Sequence, residues 1–129
     1  MRVDYKTNPA NFAVTAEQLT KRRRELEQTP IMVSQGLIDA DDYSEMAFRN
    51  AAVVWEALPI EERKWKMADN ITKVDCPTLA DLNALCQSML VARGLRAAAL
   101  HAACDYMKAS IADNEIVTKN QMEAIYAAI

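Results

Sequence analysis

Hydrophobic side chains recur at helical spacing through most of this chain. Between Leu82 and Ile111 apolar residues keep one register of three or four positions, which is the pattern of one face of an amphipathic helix. Shorter stretches with the same period run from Tyr43 to Leu58 and from Met122 to Ile129. The alternation typical of a half-buried strand is absent and no hairpin dipeptide occurs, so the pattern predicts an all-α fold without strands.

Capping residues place the helix boundaries. Thr15 with Gln18, and Thr118 with Gln121, form capping boxes in which a hydroxyl and a carboxamide bond to backbone amides at the start of a helix. Proline fits the first position of a helix, so a short helix is predicted to begin at Pro30, and Gly36 is predicted to end it. The predicted helices begin at Thr15, Pro30, Asp39 or Asp41, Pro59, Thr78 and Thr118.

The longest apolar register crosses Gly94. A continuous register fits either one long helix or two helices that follow each other almost in line. We favour two helices, because a chain of 129 residues rarely needs so long a rod. The predicted fold is therefore a single-domain, compact bundle of five to seven helices over residues 15–129, preceded by an irregular arm at residues 1–14. Its core would be built on Tyr43 to Leu58 and Leu82 to Ile111.

Composition agrees with a globular helical protein. Hydrophobic residues make up 51% of the chain, and only two residues are glycine. The formal net charge of −3 is too small to create a dominant electric field around the protein, so the overall charge favours neither a polyanionic nor a polycationic partner. No apolar run approaches the ~20 residues that span a bilayer, and the polar N-terminus lacks the apolar segment of a signal peptide. We therefore expect a cytoplasmic protein that does not contact membranes.

The sequence shows no pattern that favours an enzyme, a cofactor or a metal. The two glycines stand alone, whereas phosphate-binding loops need clustered glycines. Three cysteines without a C-x-x-C pair, with a single histidine, fit reduced core thiols better than a zinc site. His101 with Asp105 one turn later would suit a general base, or with Met107 a haem ligand, but no nucleophile accompanies it and a structural histidine is the simpler interpretation. The acidic residues from 39 to 42 lack the glycine and glutamate of a calcium loop, so capping explains them.

The strongest local charge feature is the basic run Lys21, Arg22, Arg23 and Arg24, which would contact phosphates or an acidic partner. On a helix, four consecutive residues spread around the whole circumference and do not form one face. Neighbouring glutamates also pair with part of this charge. A solvated helix is the simpler interpretation, and a partner contact is the alternative.

A second candidate combines cations with an aromatic residue: Arg63, Lys64, Trp65 and Lys66. In the predicted helix Trp65 falls about 140° from the inward-facing Ile60, so it should be partly exposed. Trp and Arg are enriched at the centres of protein interfaces, and the same pairing also stacks on a nucleic-acid base. The alternative is that Trp65 packs against the N-terminal arm. Trp65 remains the strongest single candidate for a contact residue.

These observations predict a non-enzymatic protein-binding protein: an adaptor, inhibitor or assembly factor that acts through a helical surface. The helix with Tyr43, Phe48, Val54 and Trp55 and the alanine-rich helix at Ala97 to Ala109 together offer more apolar surface than a small monomer easily covers, which also predicts self-association. The alternative is a nucleic-acid-associated regulator that uses Lys21 to Arg24 and Arg63 to Lys66 and whose affinity falls with added salt. An enzyme or a small-ligand carrier is the third hypothesis. Small helical chains of this kind are also common as phage accessory proteins, although no residue here indicates such an origin.

Overall fold

The computed structural model describes residues 12–129, which form four α-helices and two short antiparallel hairpins. The prediction of an all-α bundle of five to seven helices is therefore wrong. The predicted arm at residues 1–14 lies outside the described residues except for its last three. The helices are α1 (Ala16–Glu27), α2 (Asp42–Val54), α3 (Leu79–Ala112) and α4 (Lys119–Ala127), and the strands are β1 (Ile31–Val33), β2 (Gly36–Ile38), β3 (Lys64–Lys66) and β4 (Lys73–Asp75).

A β-hairpin replaces the short helix that was predicted after Pro30. Strands β1 and β2 are antiparallel, with Ile31 opposite Ile38 and Val33 opposite Gly36. Gly36 has a φ of 129°, a left-handed conformation that favours glycine. The prediction failed because a glycine with positive φ ends a helix and closes a hairpin equally well. The β-branched residues Ile31, Val33 and Ile38 favour the hairpin, because Ile38 belongs to the buried cluster of this part of the chain and Ile31 and Val33 pack against that cluster.

The second hairpin lies where a helix was predicted after Pro59. Trp65 of β3 is opposite Val74 of β4, and Lys66 is opposite Lys73. The connecting turn is closed by the Asp69 carboxylate, which accepts hydrogen bonds from the backbone amides of the two residues before β4 at 2.9 and 2.8 Å. Each strand has only three residues. Alternation over three residues is too short to be recognised in the sequence.

Helix α3 is continuous over 34 residues and passes through Gly94 without a break. The preference for two helices is therefore wrong. A single glycine costs a helix only about 1 kcal/mol relative to alanine, and the residues around this one are good helix formers. The capping boxes were predicted correctly, because Thr15 with Gln18 and Thr118 with Gln121 make both reciprocal hydrogen bonds.

The chain divides into two compact units. The terminal unit contains the described residues up to Leu26 together with Arg96–Ile129, and the central unit is Glu27–Leu95. Each unit has its own buried cluster. In the terminal unit it consists of Val14, Leu19, Leu100, Cys104, Met107, Val117, Met122 and Tyr126. In the central unit it consists of Ile38, Ala40, Phe48, Trp55, Met67, Cys76, Leu82, Leu85 and Met89.

Tyr126 makes the terminal unit sensitive to alkaline pH. Its buried hydroxyl donates to the Leu19 carbonyl at 2.9 Å, and burial, followed by the hydrogen bond with the Cys104 thiol, raises the pKa of Tyr126 above its ordinary value of 10.0. The unfolded chain therefore ionises first as pH rises, and the stability that Tyr126 contributes is complete below pH ~10 and is lost above it.

We expect Tyr126→Phe to lower the free energy of unfolding by about 1 to 2 kcal/mol at pH 7, because the buried Leu19 carbonyl loses its donor. Chemical denaturation at several pH values measures this difference. The gap between the variant and the natural chain should narrow above pH ~10, where only the natural chain loses the contribution of Tyr126. A constant gap from pH 7 to 11 would contradict the assignment.

Candidate functional site

The basic run of the terminal unit is largely engaged within the protein. The Arg22 guanidinium donates to both carboxylate oxygens of Glu123, at 2.8 and 3.1 Å, and to Glu25 at 3.2 Å. Arg23 is buried, and its Nη1 lies 2.9 Å from Nε2 of His101. Lys21 and Arg24 are exposed. The four cations thus diverge around α1, as the helical spacing predicted, and Arg22 and Arg23 are engaged in contacts within the protein.

Arg63 holds the backbone of the central unit together. Its Nε donates to the carbonyl of Leu58 at 3.1 Å, its Nη2 to that of Glu56 at 2.8 Å and its Nη1 to that of Pro77 at 2.7 Å. These carbonyls belong to the segments before β3 and after β4. The guanidinium therefore ties both ends of the second hairpin to the end of α2, and a structural role for Arg63 is established by these contacts.

Trp65 is half-buried and stacks on Phe48, with ring centroids 3.8 Å apart and planes inclined by 10°. The ring of Trp55 lies 6.5 Å away. Of the two flanking lysines, Lys64 is 3.5 Å from the carboxylate of Asp75, and Lys66 is exposed. Trp65 is partly exposed, as expected, although on a strand and not on a helix. That these residues contact a partner remains a prediction.

Helix α2 presents apolar side chains on two opposite sides. Its inner side is buried through Ser44, Phe48 and, in the turn that follows the helix, Trp55. We call the opposite side the α2 outer face, and it falls within an arc of about 120° of the helix. Val53 on this face is 85% exposed and Tyr43 is 77% exposed. The exposed residues of the α2 outer face are Tyr43, Met46, Ala47, Asn50, Val53 and Val54.

Ion pairs border the α2 outer face on one side. The Asp42 carboxylate accepts from Arg93 at 2.5 Å and from Gln28 at 3.2 Å, and Glu45 accepts from Arg49 at 2.7 Å. The hydrogen bonds from Arg93 and then Gln28 hold the pKa of Asp42 below its usual value. Charge is therefore confined to the border, and the α2 outer face itself carries no charged side chain.

A second apolar surface of the central unit lies between β1 and the first half of α3. Met32 is 65% exposed there, and Val91 and Leu95 are also exposed. The groove between them has a volume of about 390 Å³. We call it the α3–β1 groove, and none of its lining residues is charged: Met32, Val33, Ser34, Gln87, Ser88, Val91, Ala92 and Leu95.

Cysteine, histidine and acidic side chains are the groups of the described residues that would bind a metal ion or act as nucleophiles. No group of three or more His, Cys, Asp and Glu side chains within residues 12–129 is arranged to hold a metal ion. The cysteines form no disulfide. Burial raises the pKa of the Cys76 and Cys86 thiols, which lowers the fraction of each that is present as the reactive thiolate at neutral pH.

Comparison of the chain with known protein families, with curated proteins and with solved structures gives no significant match. Although α3 is long, neither it nor another helix in residues 12–129 has the sustained apolar character that a membrane crossing requires.

The sequence predicted the apolar residues of the α2 outer face but not their exposure. Two apolar stripes on this segment could be recognised from their spacing, and the segment was assigned both to the core and to a surface for self-association, without a decision on which stripe is exposed. Which stripe is buried depends on Trp65 and on α3, which pack on the inner side. The α3–β1 groove was missed, because it depends on a hairpin that was predicted to be a helix.

Proposed function

We propose that this protein is a non-enzymatic, cytoplasmic protein-binding protein and that the α2 outer face receives the apolar side of a helix from a partner protein. The observation that carries the proposal is the exposure of Tyr43, Met46 and Val53 in one stripe along α2. Contiguous exposed apolar surface of this kind is uncommon on a monomer and marks interaction sites. An adaptor, an inhibitor and an assembly factor are the roles that need such a surface and no chemistry.

A helix is the occupant that fits the spacing best. The exposed residues follow each other at three or four positions over about three turns, so they form a straight ridge and not a pocket. Ridges of this type pack into the grooves of another helix. Asn50 lies in the middle of the stripe, where a polar residue fixes the register of two helices at some cost in affinity.

Nucleic-acid binding through Lys21 to Arg24 and Arg63 to Lys66 is less favoured as a proposal. Arg22, Arg23 and Arg63 already make hydrogen bonds within the protein. Recruiting them to phosphates would break these contacts, whereas the α2 outer face is exposed without any rearrangement.

We expect Val53→Lys to abolish recovery of the partner in affinity capture from a lysate, because the lysine ammonium group would have to be desolvated when the partner helix covers the α2 outer face. Quantitative mass spectrometry of the captured proteins measures the effect. Recovery by the natural chain should persist in high salt and after nuclease treatment, since apolar contacts depend little on ionic strength.

The matched control is Ile71→Lys. Ile71 is 82% exposed, much like Val53, but it lies in the turn between β3 and β4. The control should capture the same partner as the natural chain. Recovery that survives Val53→Lys, or that requires intact nucleic acid, would refute the proposal.

A further inference from the structure

A pocket of about 230 Å³ opens beside the first half of α2. Two of its lining residues, Tyr43 and Ala47, also belong to the α2 outer face, so the pocket and the face are continuous. By helical geometry these two residues lie on the side of the face away from the ion pairs that border it. We call this space the acidic–aromatic pocket, and its other lining residues are Asp39, Asp41, Ser44, Trp65 and Lys66.

Negative charge predominates in the acidic–aromatic pocket. Asp39 is exposed and has no ion-pair partner among the described residues. The Asp41 carboxylate is fixed in place, because it accepts hydrogen bonds from the backbone amide of Tyr43 at 3.1 Å and from the Ser44 hydroxyl at 3.0 Å. Lys66 is the one cation of the pocket lining, so its charge offsets that of only one of the two carboxylates.

Two aromatic side chains, Tyr43 and Trp65, make the same pocket suitable for a planar cation. A guanidinium group is attracted to the face of an aromatic ring and also forms paired hydrogen bonds with a carboxylate. The lysine ammonium is more strongly hydrated and is not planar. An anionic side chain would be repelled by the carboxylates, and an apolar one would desolvate them without compensation. Arginine is therefore the side chain that makes the fullest use of this pocket.

We infer that the partner helix carries an arginine beside its apolar side and that this arginine enters the acidic–aromatic pocket when the helix lies on the α2 outer face. The inference rests on the proposed function and specifies the chemistry of the partner. Trp65 and Lys66 then contact the partner directly, and Lys66 opposes the bound arginine by like-charge repulsion. Because one partly exposed charge pair contributes little beside the apolar contacts, binding still persists in high salt.

Binding of synthetic helical peptides to the full chain tests the inference. The first probe is a stapled helix of about 18 residues with a leucine stripe at three- and four-residue spacing, equal numbers of lysine and glutamate on the far side, and one arginine beside the stripe. Three versions place the arginine on successive turns, so that one of them reaches the pocket in either helix direction. Matched probes carry glutamine or glutamate at the position of the arginine.

Fluorescence anisotropy measures the dissociation constant of each labelled probe. We expect the best arginine probe to bind with a dissociation constant of about 10 to 50 µM. The matched glutamine probe should bind about five- to tenfold more weakly, since it lacks the charge and the planar cation, and the glutamate probe should bind more weakly still.

Substitutions in the pocket should change the affinity of the arginine probe in opposite directions. Asp39→Asn should weaken binding about three- to fivefold, whereas Lys66→Ala should tighten it about two- to threefold. Both residues are exposed, so both variants should fold. Asp113→Asn is the matched control, because it removes one exposed carboxylate of the terminal unit and should leave the affinity unchanged.

Val53→Lys separates a failure of this inference from a failure of the proposed function. The variant should bind none of the probes, because it disrupts the α2 outer face itself. Equal binding of the arginine, glutamine and glutamate probes, all lost in Val53→Lys, would overturn the inference and leave the proposed function standing. Failure of every probe to bind the natural chain, or full binding to Val53→Lys, would overturn both. An effect of Asp113→Asn as large as that of Asp39→Asn would assign the preference to overall charge and would also overturn the inference.

Discussion

Replacement of Trp65 by alanine is expected to lower the free energy of unfolding by about 3 kcal/mol, at the lower end of the range for aromatic core residues because Trp65 is only half-buried. The ring stacks on Phe48 at 3.8 Å and covers the buried cluster of the central unit. Its loss would leave Phe48 without its stacking partner and admit water beside Trp55. Denaturation in urea, followed by circular dichroism, measures the change.

Lys66→Ala is the matched control for this prediction. Lys66 is the next residue of β3, points to the opposite side of the hairpin and is exposed. Its replacement should change the free energy of unfolding by less than about 0.5 kcal/mol. If Trp65→Ala left stability unchanged but reduced partner capture, the ring would serve a partner and not the core, which is the role that the sequence alone suggested.

Arg63→Lys is expected to lower the free energy of unfolding by about 2 kcal/mol, although it keeps the charge. The guanidinium donates to three backbone carbonyls at 2.7 to 3.1 Å. Hydrogen bonds from charged donors contribute about 1.5 to 3 kcal/mol each, and partial exposure of this side chain reduces their sum. A lysine has one compact ammonium group that does not span three separate acceptors. Equilibrium unfolding in guanidinium chloride measures the effect.

The control for Arg63 is Lys64→Ala, which removes a cation from the neighbouring position. Lys64 pairs with Asp75 at 3.5 Å, and both side chains are exposed. Ion pairs of this kind contribute less than about 1 kcal/mol, so the control should be nearly neutral. If Arg63→Lys were as mild as this control, water would replace the lost hydrogen bonds and the assigned role of Arg63 would be wrong.

Around Arg63 and Trp65 the predicted helix was wrong, whereas contact of these residues with a partner stays a prediction. Their combination of cation and aromatic residue drew attention in the sequence, and the helix predicted there placed Trp65 toward solvent. In the structure the same residues begin a hairpin, so the ring turns onto Phe48 and the guanidinium reaches backbone carbonyls. Residue types that suit an interface suit a small core equally well, because both need aromatic area and multiple donors.

The sequence by itself determined the starts of α1 and α4, together with the helical register of α3. Thr15, Thr118 and their glutamine partners act across three residues, so their effect does not depend on the rest of the fold. Tertiary structure alone decided the two hairpins and the exposure of the α2 outer face. Strands of three residues and a helix with two apolar sides have no stable preference of their own, and they take the state in which neighbouring elements bury one of their faces.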